Sequence, residues 1–196
     1  MDNNGKVSVI LVDDNDGFAS NFREIIALDA RLNYLGHASS KESGILMAIA
    51  FRPEIVVMDL NLSGTALDGI EAAKEIRIRT GIKVLLLTAY ENEDIVLNAS
   101  KKAFASGFIF KSQFKNIADI IYQTATSNTV EKTRIKDSIQ RELTDAEEAV
   151  FRGLIEGDIY KFTHASTSTV EKQLSSIYRK LEVKCGKDLQ TVFENW

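Results

Sequence analysis

The sequence predicts an α/β protein in which a doubly wound sheet of five parallel strands is followed by a small all-α domain. Between residue 7 and about residue 126, five short apolar runs alternate with five longer segments whose apolar residues recur at helical spacing. This alternation is typical of a parallel sheet that helices cover on both faces. From Leu143 onward the apolar pattern is helical only, which predicts a separate helical domain.

The five apolar runs predict the strands of the sheet. Each run has four to six residues, a length that suits a buried strand, and β-branched residues are common in them. The predicted strands are Val7–Val12, Tyr34–Ala38, Ile55–Met58, Lys83–Leu87 and Gly107–Phe110.

The segments between these runs predict five helices. Ser39 and Glu42 have the spacing of a capping box, which predicts the start of a helix that runs through Phe51. The other four helices are indicated by the apolar residues Phe18, Phe22, Ile25 and Ile26, by the segments Asp68–Arg79 and Asn92–Ala103, and by the stripe Ile117, Ile120 and Ile121 within Phe114–Ala125.

The composition indicates a cytoplasmic protein. The net charge is -4, and the 196 residues include one cysteine, Cys185, which excludes an internal disulfide and fits a reducing compartment. No apolar run approaches the roughly 20 residues that a membrane-spanning helix needs. The first residues lack the basic and apolar segments of a secretory signal.

Charged and polar residues follow the predicted strands at their carboxyl ends. Asp13 and Asp14 follow the first strand, Asp59 the third, Thr88 the fourth and Lys111 the fifth. Ligands of open α/β sheets bind at this edge. Three neighbouring carboxylates repel one another, and Mg²⁺, which prefers oxygen ligands, relieves that repulsion. A carboxylate in such a site can attack a phosphoryl group whose oxygens are stabilised by the metal, a lysine and a hydroxyl.

This set of residues resembles the receiver domain of two-component response regulators. The resemblance covers nearly all of residues 6–126 and implies a flavodoxin-like, CheY-like fold. It also implies that a histidine kinase phosphorylates Asp59. The matching pieces, in order, are Val12-Asp13-Asp14, Met58-Asp59-Leu60, Asp68-Gly69, Thr88-Ala89 and Gly107-Phe108-Ile109-Phe110-Lys111.

The resemblance also implies a role for each residue of the pocket. Asp14, Asp59 and the backbone carbonyl of Asn61 would bind Mg²⁺ directly, and Asp13 would bind it through water. Lys111 would pair with the phosphoryl oxygens, and Ala89 would leave room for the phosphoryl group. Thr88 and Phe108 would be the switch residues. The protein would thus be no enzyme for an external substrate, although it would support its own phosphorylation and dephosphorylation.

Two features depart from the family pattern. Asp59 and Asp68 are two residues further apart than usual, and the loop Leu62–Leu67 between them lacks the usual proline. Lys111 is followed by Ser112, where the family has a proline in a cis peptide bond. A cis bond before a residue other than proline costs about 2.5–4 kcal/mol, which favours a trans bond here.

A rival interpretation is an aspartyl-phosphate phosphatase. Asp14-Asn15-Asp16-Gly17 follows an apolar strand and is similar to the nucleophile motif of haloacid-dehalogenase-type phosphatases. This alternative leaves Asp59 without a role, and the chain has no room for the cap domain of that family.

The remainder of the chain is expected to comprise a linker and a second domain. The polar and highly charged segment 127–142 predicts a linker that is at most partly helical. In the domain 143–196, Thr144 with Glu147 and Ser168 with Glu171 predict two capped helices, the first of which stops at Gly157. The second carries the apolar stripe Val170, Leu174, Ile177 and Leu181, and a last helix is expected at Lys187–Asn195.

This domain resembles the LuxR-type helix-turn-helix of the NarL/FixJ response regulators. The residues that carry the resemblance are Leu143-Thr144, Val170-Glu171-Lys172 and Ser175–Leu181. The helix that carries Val170 would enter the DNA major groove. The candidate DNA-binding residues on its polar face are Lys172, Ser175, Ser176 and Arg179.

Two observations support a different output, a protein-interaction or dimerisation domain that binds little DNA. The segment between Gly157 and Thr169 is about four residues short of the family pattern, which is about one turn of the supporting helix. Residues 143–196 carry seven Lys and Arg against nine Asp and Glu, an unfavourable charge for a surface that must contact phosphates.

The leading hypothesis is a transcription regulator with a receiver domain at 1–126, a linker at 127–142 and a helix-turn-helix domain at 143–196. Its expected partners are a cognate histidine kinase, DNA, and a second copy of the chain when Asp59 is phosphorylated.

Overall fold

Five parallel strands form one sheet in a computed structural model of the chain, which describes residues 5–62, 64, 66–194 and 196. The order across the sheet is β2-β1-β3-β4-β5, with a crossover between each pair of consecutive strands. The fold class predicted from the sequence is confirmed. The strands are β1 (Val7–Val12), β2 (Leu32–Ala38), β3 (Ile55–Asp59), β4 (Lys83–Thr88) and β5 (Gly107–Phe110).

Helices connect the strands and continue beyond the last one. A short 3₁₀ helix, Lys111–Asn116, follows β5. Residues 5–126 are the α/β unit, and α6 to α9 are the C-terminal helices. The helices are α1 (Asp16–Leu28), α2 (Lys41–Phe51), α3 (Ala66–Thr80), α4 (Glu93–Lys102), α5 (Ile117–Thr126), α6 (Val130–Gln140), α7 (Asp145–Ile155), α8 (Thr167–Leu181) and α9 (Gly186–Glu194).

Alternating residues of the strands pack on the two faces of the sheet. Ile10 and Val12 of β1 belong to a cluster with residues of α2 and α3, whereas Val9 and Leu11 belong to a second cluster with residues of α1 and α5. Because both faces are covered, all six residues of β1 are buried. The strand ends, where side chains emerge from the sheet, are therefore the positions available for chemistry.

Two of the three predicted capping boxes are wrong in their residues. The cap of α2 is Ser40, which exchanges hydrogen bonds with Ser43, and not Ser39 with Glu42. The cap of α8 is Ser166, whose hydroxyl accepts from the Thr169 N–H, and not Ser168. The box of Thr144 and Glu147 at the start of α7 is confirmed.

The segment 127–142 contains a complete helix with a buried side. Ile135 and Ile139 of α6 are both 0% exposed, and α6 packs against α4 and β5. The two isoleucines belong to a third cluster of buried apolar residues. This third cluster consists of Phe104, Ile135, Ile139, Leu143, Val150, Phe151, Val170, Ile177, Leu181, Val183, Leu189, Val192 and Phe193. The domain boundaries at residues 126 and 143 stay a prediction.

Turns join α7 to α8. Between residues 156 and 166, all of which the structure describes, the chain forms no helix, so the expected shortened supporting helix is missing. Gly153 of α7 allows this connection to lie close to the helix. A Cβ atom there would come within 2.7 Å of the carbonyl oxygens of Asp158 and Ile159.

Parts of two predictions lie outside the described residues. Ser63 and Thr65 of the loop Leu62–Leu67 are among them, as is Asn195, the expected end of the last helix. None of the helices in the described part of the chain is long and apolar enough to cross a membrane.

Candidate functional site

Three carboxylates meet at the carboxyl end of the sheet. Asp13 and Asp14 follow β1, and Asp59 ends the neighbouring strand β3. One carboxylate oxygen of each lies within 4.8 Å of those of the other two. Asp13 is 0% exposed and Asp59 is 5% exposed, whereas Asp14 is exposed to solvent. Two acidic groups are thus withdrawn from water while the third faces it.

Lys111 bridges the two buried carboxylates. Its Nζ lies 2.9 Å from an oxygen of Asp13 and 2.9 Å from an oxygen of Asp59. The Phe18 ring, with its centroid 4.7 Å from Nζ, also contacts this ammonium group. Lys111 directly follows β5, so the sheet itself brings it to the edge where the aspartates lie.

Burial and ion pairing have opposite effects on the charged groups of the pocket. Burial raises the pKa of Asp59, and the hydrogen bond from Lys111 offsets this only in part. Burial lowers the pKa of Lys111, but its hydrogen bonds to Asp13 and Asp59 outweigh burial and raise that pKa above its ordinary value. Lys111 therefore keeps its positive charge at neutral pH.

Backbone and ring donors hold the two buried aspartates in place. The Asn15 N–H donates to Asp13 at 2.9 Å, and the Asn61 N–H donates to Asp59 at 3.3 Å. The His37 Nε2 lies 2.6 Å from the backbone carbonyl oxygen of Asp13. The sequence did not indicate these roles of Phe18, Asn15 and His37. Asn15 could have been recognised as the N-cap of α1, because asparagine is a preferred residue there.

Gly69 lets α3 begin directly beneath the end of β3. A Cβ atom on Gly69 would lie 2.2 Å from the carbonyl oxygen of Asp59 and 2.6 Å from that of Leu60. Any side chain at this position would therefore displace the backbone of Asp59. This explains, from the packing, why the sequence has glycine after Asp68.

The two expected switch residues lie on β4 and β5. Thr88 is 1% exposed, and its hydroxyl oxygen accepts from the Tyr90 N–H at 3.0 Å. Phe108 is half-buried and packs against both the α2–α3 side of the sheet and the third cluster. Ala89, which follows Thr88, is exposed. Phe108 of β5 thus packs between the sheet and the C-terminal helices.

The peptide bond between Lys111 and Ser112 is trans. The 3₁₀ helix begins at Lys111. Lys111 still reaches both aspartates, so the absence of proline at position 112 leaves the ion pairs intact.

The residues of the pocket fit a divalent cation such as Mg²⁺. Asp13, Asp14 and Asp59 each offer an oxygen atom, and hard cations prefer oxygen ligands. Three carboxylates and one ammonium group leave a formal charge of two negative units, which a divalent cation neutralises.

Of the four residues expected on the polar face of α8, three are exposed and Ser176 is half-buried. Lys172 and Arg179 are exposed. The Ser175 hydroxyl donates to the Glu171 carbonyl oxygen at 2.9 Å, which leaves it only as an acceptor. Ser176 is half-buried and hydrogen-bonded to the Glu147 side chain. Lys172 and Arg179 therefore remain as the donors of this face.

A model of the response regulator receiver domain matches residues 9–122. The chain belongs to the response regulators of two-component systems. The matched residues include β2 to β5, most of β1 and all the pocket residues described above. The expected resemblance to the receiver family is confirmed.

Relatives that resemble the response regulator over most of its length are known. It is 26% identical to a nitrate/nitrite response regulator protein homolog of Haemophilus influenzae, and 91% of each chain is covered. It is 24% identical to the response regulator protein VraR of Staphylococcus aureus, again with 91% of each chain covered.

Solved structures share its fold. The response regulator domain of Thermotoga maritima CheB has a TM-score of 0.56 at 21% identity and covers 63% of this chain and 99% of its own. RcsB from Salmonella enterica serovar Typhimurium, in a structure bound to promoter rprA, has a TM-score of 0.55 at 20% identity. It covers 96% of this chain and 98% of its own.

Proposed function

We propose that a histidine kinase phosphorylates Asp59, and that the phosphorylated chain forms a dimer which binds DNA through α8 and regulates transcription. The observation that carries the first part is the bridge from Lys111 to Asp13 and Asp59, beside a third carboxylate that faces solvent. This arrangement supplies a nucleophile, a cation for the transferred group and a site for Mg²⁺.

The phosphoryl transfer needs little from the protein beyond position and charge. An oxygen of Asp59 attacks the phosphorus atom of a kinase phosphohistidine. The new O–P bond forms as the P–N bond breaks, and the imidazole nitrogen keeps the electron pair. Lys111 then exchanges its contact with Asp59 for one with a phosphoryl oxygen. Mg²⁺, held by Asp13, Asp14, Asp59 and the Asn61 carbonyl, would neutralise charge on the phosphoryl oxygens.

Water ends the signal when it hydrolyses the acyl phosphate in the same pocket. The chain then acts on its own carboxylate and on no other substrate. A phosphatase of the haloacid-dehalogenase type would need Asp14 as nucleophile, but Lys111 pairs with Asp13 and Asp59, whereas Asp14 is exposed. The geometry thus favours Asp59 as the phosphoacceptor.

Labelling with a small-molecule phosphodonor and Mg²⁺ tests the phosphoacceptor. We expect acid-labile label on the wild type, none on Asp59→Asn, and strongly reduced label on Asp14→Asn because a metal ligand is lost. Asp16→Asn, which changes an exposed carboxylate at the start of α1, is the matched control and should label like the wild type. Equal labelling of Asp59→Asn would refute the assignment.

Two exposed cations support DNA as the partner of α8. Lys172 and Arg179 lie on the exposed side of the helix, opposite the stripe that contains the buried residues Val170, Ile177 and Leu181. Such residues contact phosphates and base edges. RcsB, which shares the fold over nearly the whole chain, has been solved in complex with promoter DNA. Because residues 143–196 carry few basic side chains, we expect a dimer, in which the contacts to two DNA half-sites add.

The salt dependence of DNA binding tests this output. Phosphorylated full-length protein should enrich a palindromic or tandem motif from a random DNA pool. Lys172→Ala and Arg179→Ala should each weaken binding and lower the salt slope by about one unit per lost phosphate contact. Arg23→Ala, which removes an exposed cation from α1, should leave binding unchanged.

A protein-interaction output is the second candidate. The turns in place of a helix between residues 156 and 166 and the carboxylate of Glu171 beside Lys172 favour it. Failure to enrich any sequence, with the double variant of Lys172 and Arg179 indistinguishable from the wild type, would support this candidate. It would leave the phosphoacceptor assignment untouched.

A further inference from the structure

Phe104 of the α/β unit lies in an unusual backbone conformation. It connects α4 to β5 and has a φ of 52°, in the left-handed region that favours glycine after a helix. A bulky residue there is an outlier that the surrounding structure must hold in place. Its side chain is 1% exposed. The contacts of its ring therefore explain why phenylalanine is accommodated.

The Phe104 ring is buried in the core of the C-terminal helices. Every other buried member of the third cluster lies between Ile135 and Phe193, as far as the described residues show. The ring centroid is 6.1 Å from that of Phe193 in α9, and the two rings meet edge to face. Lys74 Nζ lies 5.4 Å from the centroid of the Phe104 ring. A side chain of the receiver is thus buried in the core of the C-terminal helices.

Two cations of α3 reinforce this contact by binding helix ends. Arg77 is 0% exposed, and its guanidinium donates to Val192 O of α9 at 2.6 Å and to Gly81 O of its own helix end at 2.8 Å. Lys74 donates to Leu181 O of α8 at 3.1 Å. The carbonyl oxygens near the end of a helix lack partners within the helix and carry partial negative charge. The receiver supplies donors for both helix ends.

The receiver covers one side of the C-terminal helices at α9. Turns replace a helix between residues 156 and 166, and α9 packs against both α7 and α3. The receiver therefore occupies one side of α9 with α3 and inserts Phe104 beside it. Without the receiver, Phe193 and Val192 would lose their cover on that side.

We propose that the receiver completes the fold of the C-terminal helices, with Phe104 as the anchor, so that the two halves form one cooperative unit. The C-terminal helices then function while they are packed against the receiver and do not need to separate from it. Lys172 and Arg179 are exposed in the docked arrangement, which leaves the polar face of α8 accessible. This inference concerns folding and docking, and it stands whether α8 binds DNA or a protein.

Amide hydrogen exchange of the full-length protein tests the anchor. Phe104→Gly suits the left-handed backbone and removes the whole side chain, including the ring. We expect exchange in α6 to α9 to become about 10- to 100-fold faster, since loss of a buried aromatic ring outweighs the relief of the backbone. Arg52→Gly is the matched control, because Arg52 has a φ of 47° at the end of α2 and is exposed. It should leave α6 to α9 unchanged.

Phe193→Ala tests the same contact from the other side. Phe193 lies in α9. Its replacement should accelerate amide exchange in residues 103–106 of the receiver loop as well as in the C-terminal helices. Unchanged exchange of α6 to α9 in Phe104→Gly would overturn the proposal. If Phe104→Gly accelerated amide exchange in both the receiver and the C-terminal helices, the result for Phe193→Ala would distinguish the anchor from a general loss of stability. Faster exchange at residues 103–106 would support the anchor, and wild-type exchange there would overturn it.

Discussion

Glu147 fixes the position of α8 on α7, and its removal should have a large and pH-dependent effect. The side chain of Glu147 is buried, accepts from the Thr144 N–H at 2.7 Å and pairs with Lys180 Nζ at 2.5 Å. Ser176 of α8 also hydrogen-bonds to it. One carboxylate thus caps α7 and binds two residues of α8.

The magnitude follows from its pKa. Burial alone would raise the pKa of Glu147, but the hydrogen bonds from Lys180, Thr144 and Ser176 outweigh burial and lower it from 4.5 to about 2. This difference corresponds to at most about 3 kcal/mol. Because the Lys180 side chain is partly exposed, solvent screening of the ion pair reduces it to roughly 1–2 kcal/mol. Because the folded-state pKa is the lower one, the stabilisation is present above pH 4.5 and is lost as the pH falls towards 2.

Glu147→Gln keeps a side chain that can cap α7 but removes the ion pair. Urea unfolding at neutral pH should show a loss of about 1–2 kcal/mol. The difference from the wild type should shrink progressively below pH 4.5. Glu148→Gln, one position along α7, is the control and should cost less because the ion pair of Lys180 is with Glu147. A constant difference at all pH values, or equal losses in the two variants, would refute the reasoning.

Three other perturbations have clear expectations. Burial, followed by the charges of nearby lysines and Arg77, lowers the pKa of Lys132 from 10.5 to about 8. Lys132→Met should therefore raise the free energy of unfolding near neutral pH by roughly 1–3 kcal/mol. The gain should diminish between pH 8 and 10.5 in urea titrations. Gly69→Ala should slow phosphodonor labelling about 10-fold or more, because its Cβ displaces the Asp59 backbone. Beryllofluoride should alter the amide exchange of α4 and α5 and promote dimers in light scattering, and unchanged exchange and mass would contradict a switch. Because α6 packs against α4 and β5, its exchange should change as well.

The pocket could be predicted because topology alone brings its residues together. In a parallel sheet of this order, Asp13, Asp59 and Lys111 must emerge at the same edge once their strands are identified. Apolar runs identify buried strands well, and β5 has the bounds expected from the sequence. The chemical roles of these residues stay predictions.

The caps of α2 and α8 could not be chosen from the sequence because neighbouring hydroxyls compete. Ser39 and Ser40 both precede α2, and the hydrogen bond forms where the backbone turns, at Ser40. A local pattern contains the residue types that can cap a helix but not the backbone angle at each of them. The same ambiguity among hydroxyl residues explains the choice of Ser166 over Ser168.

The docking of the two halves depends on contacts that no local pattern encodes. Ile135 and Ile139 are the main apolar signal in α6, and they are buried in the third cluster, where α6 packs against α4 and β5. Nothing in the sequence around Phe104 indicates that its ring enters a distant core. The shortening before α8 was visible in the sequence, but not that turns would replace the whole helix and pack closely on Gly153.

The central claim is that phosphorylation of Asp59 controls the output of the C-terminal helices. The most direct measurement is sequence selection from a random DNA pool by the full-length protein, with and without phosphodonor, for the wild type and Asp59→Asn. We predict a motif that the wild type enriches only with phosphodonor and that Asp59→Asn does not enrich. Equal enrichment by both proteins, with or without the donor, would contradict control through Asp59.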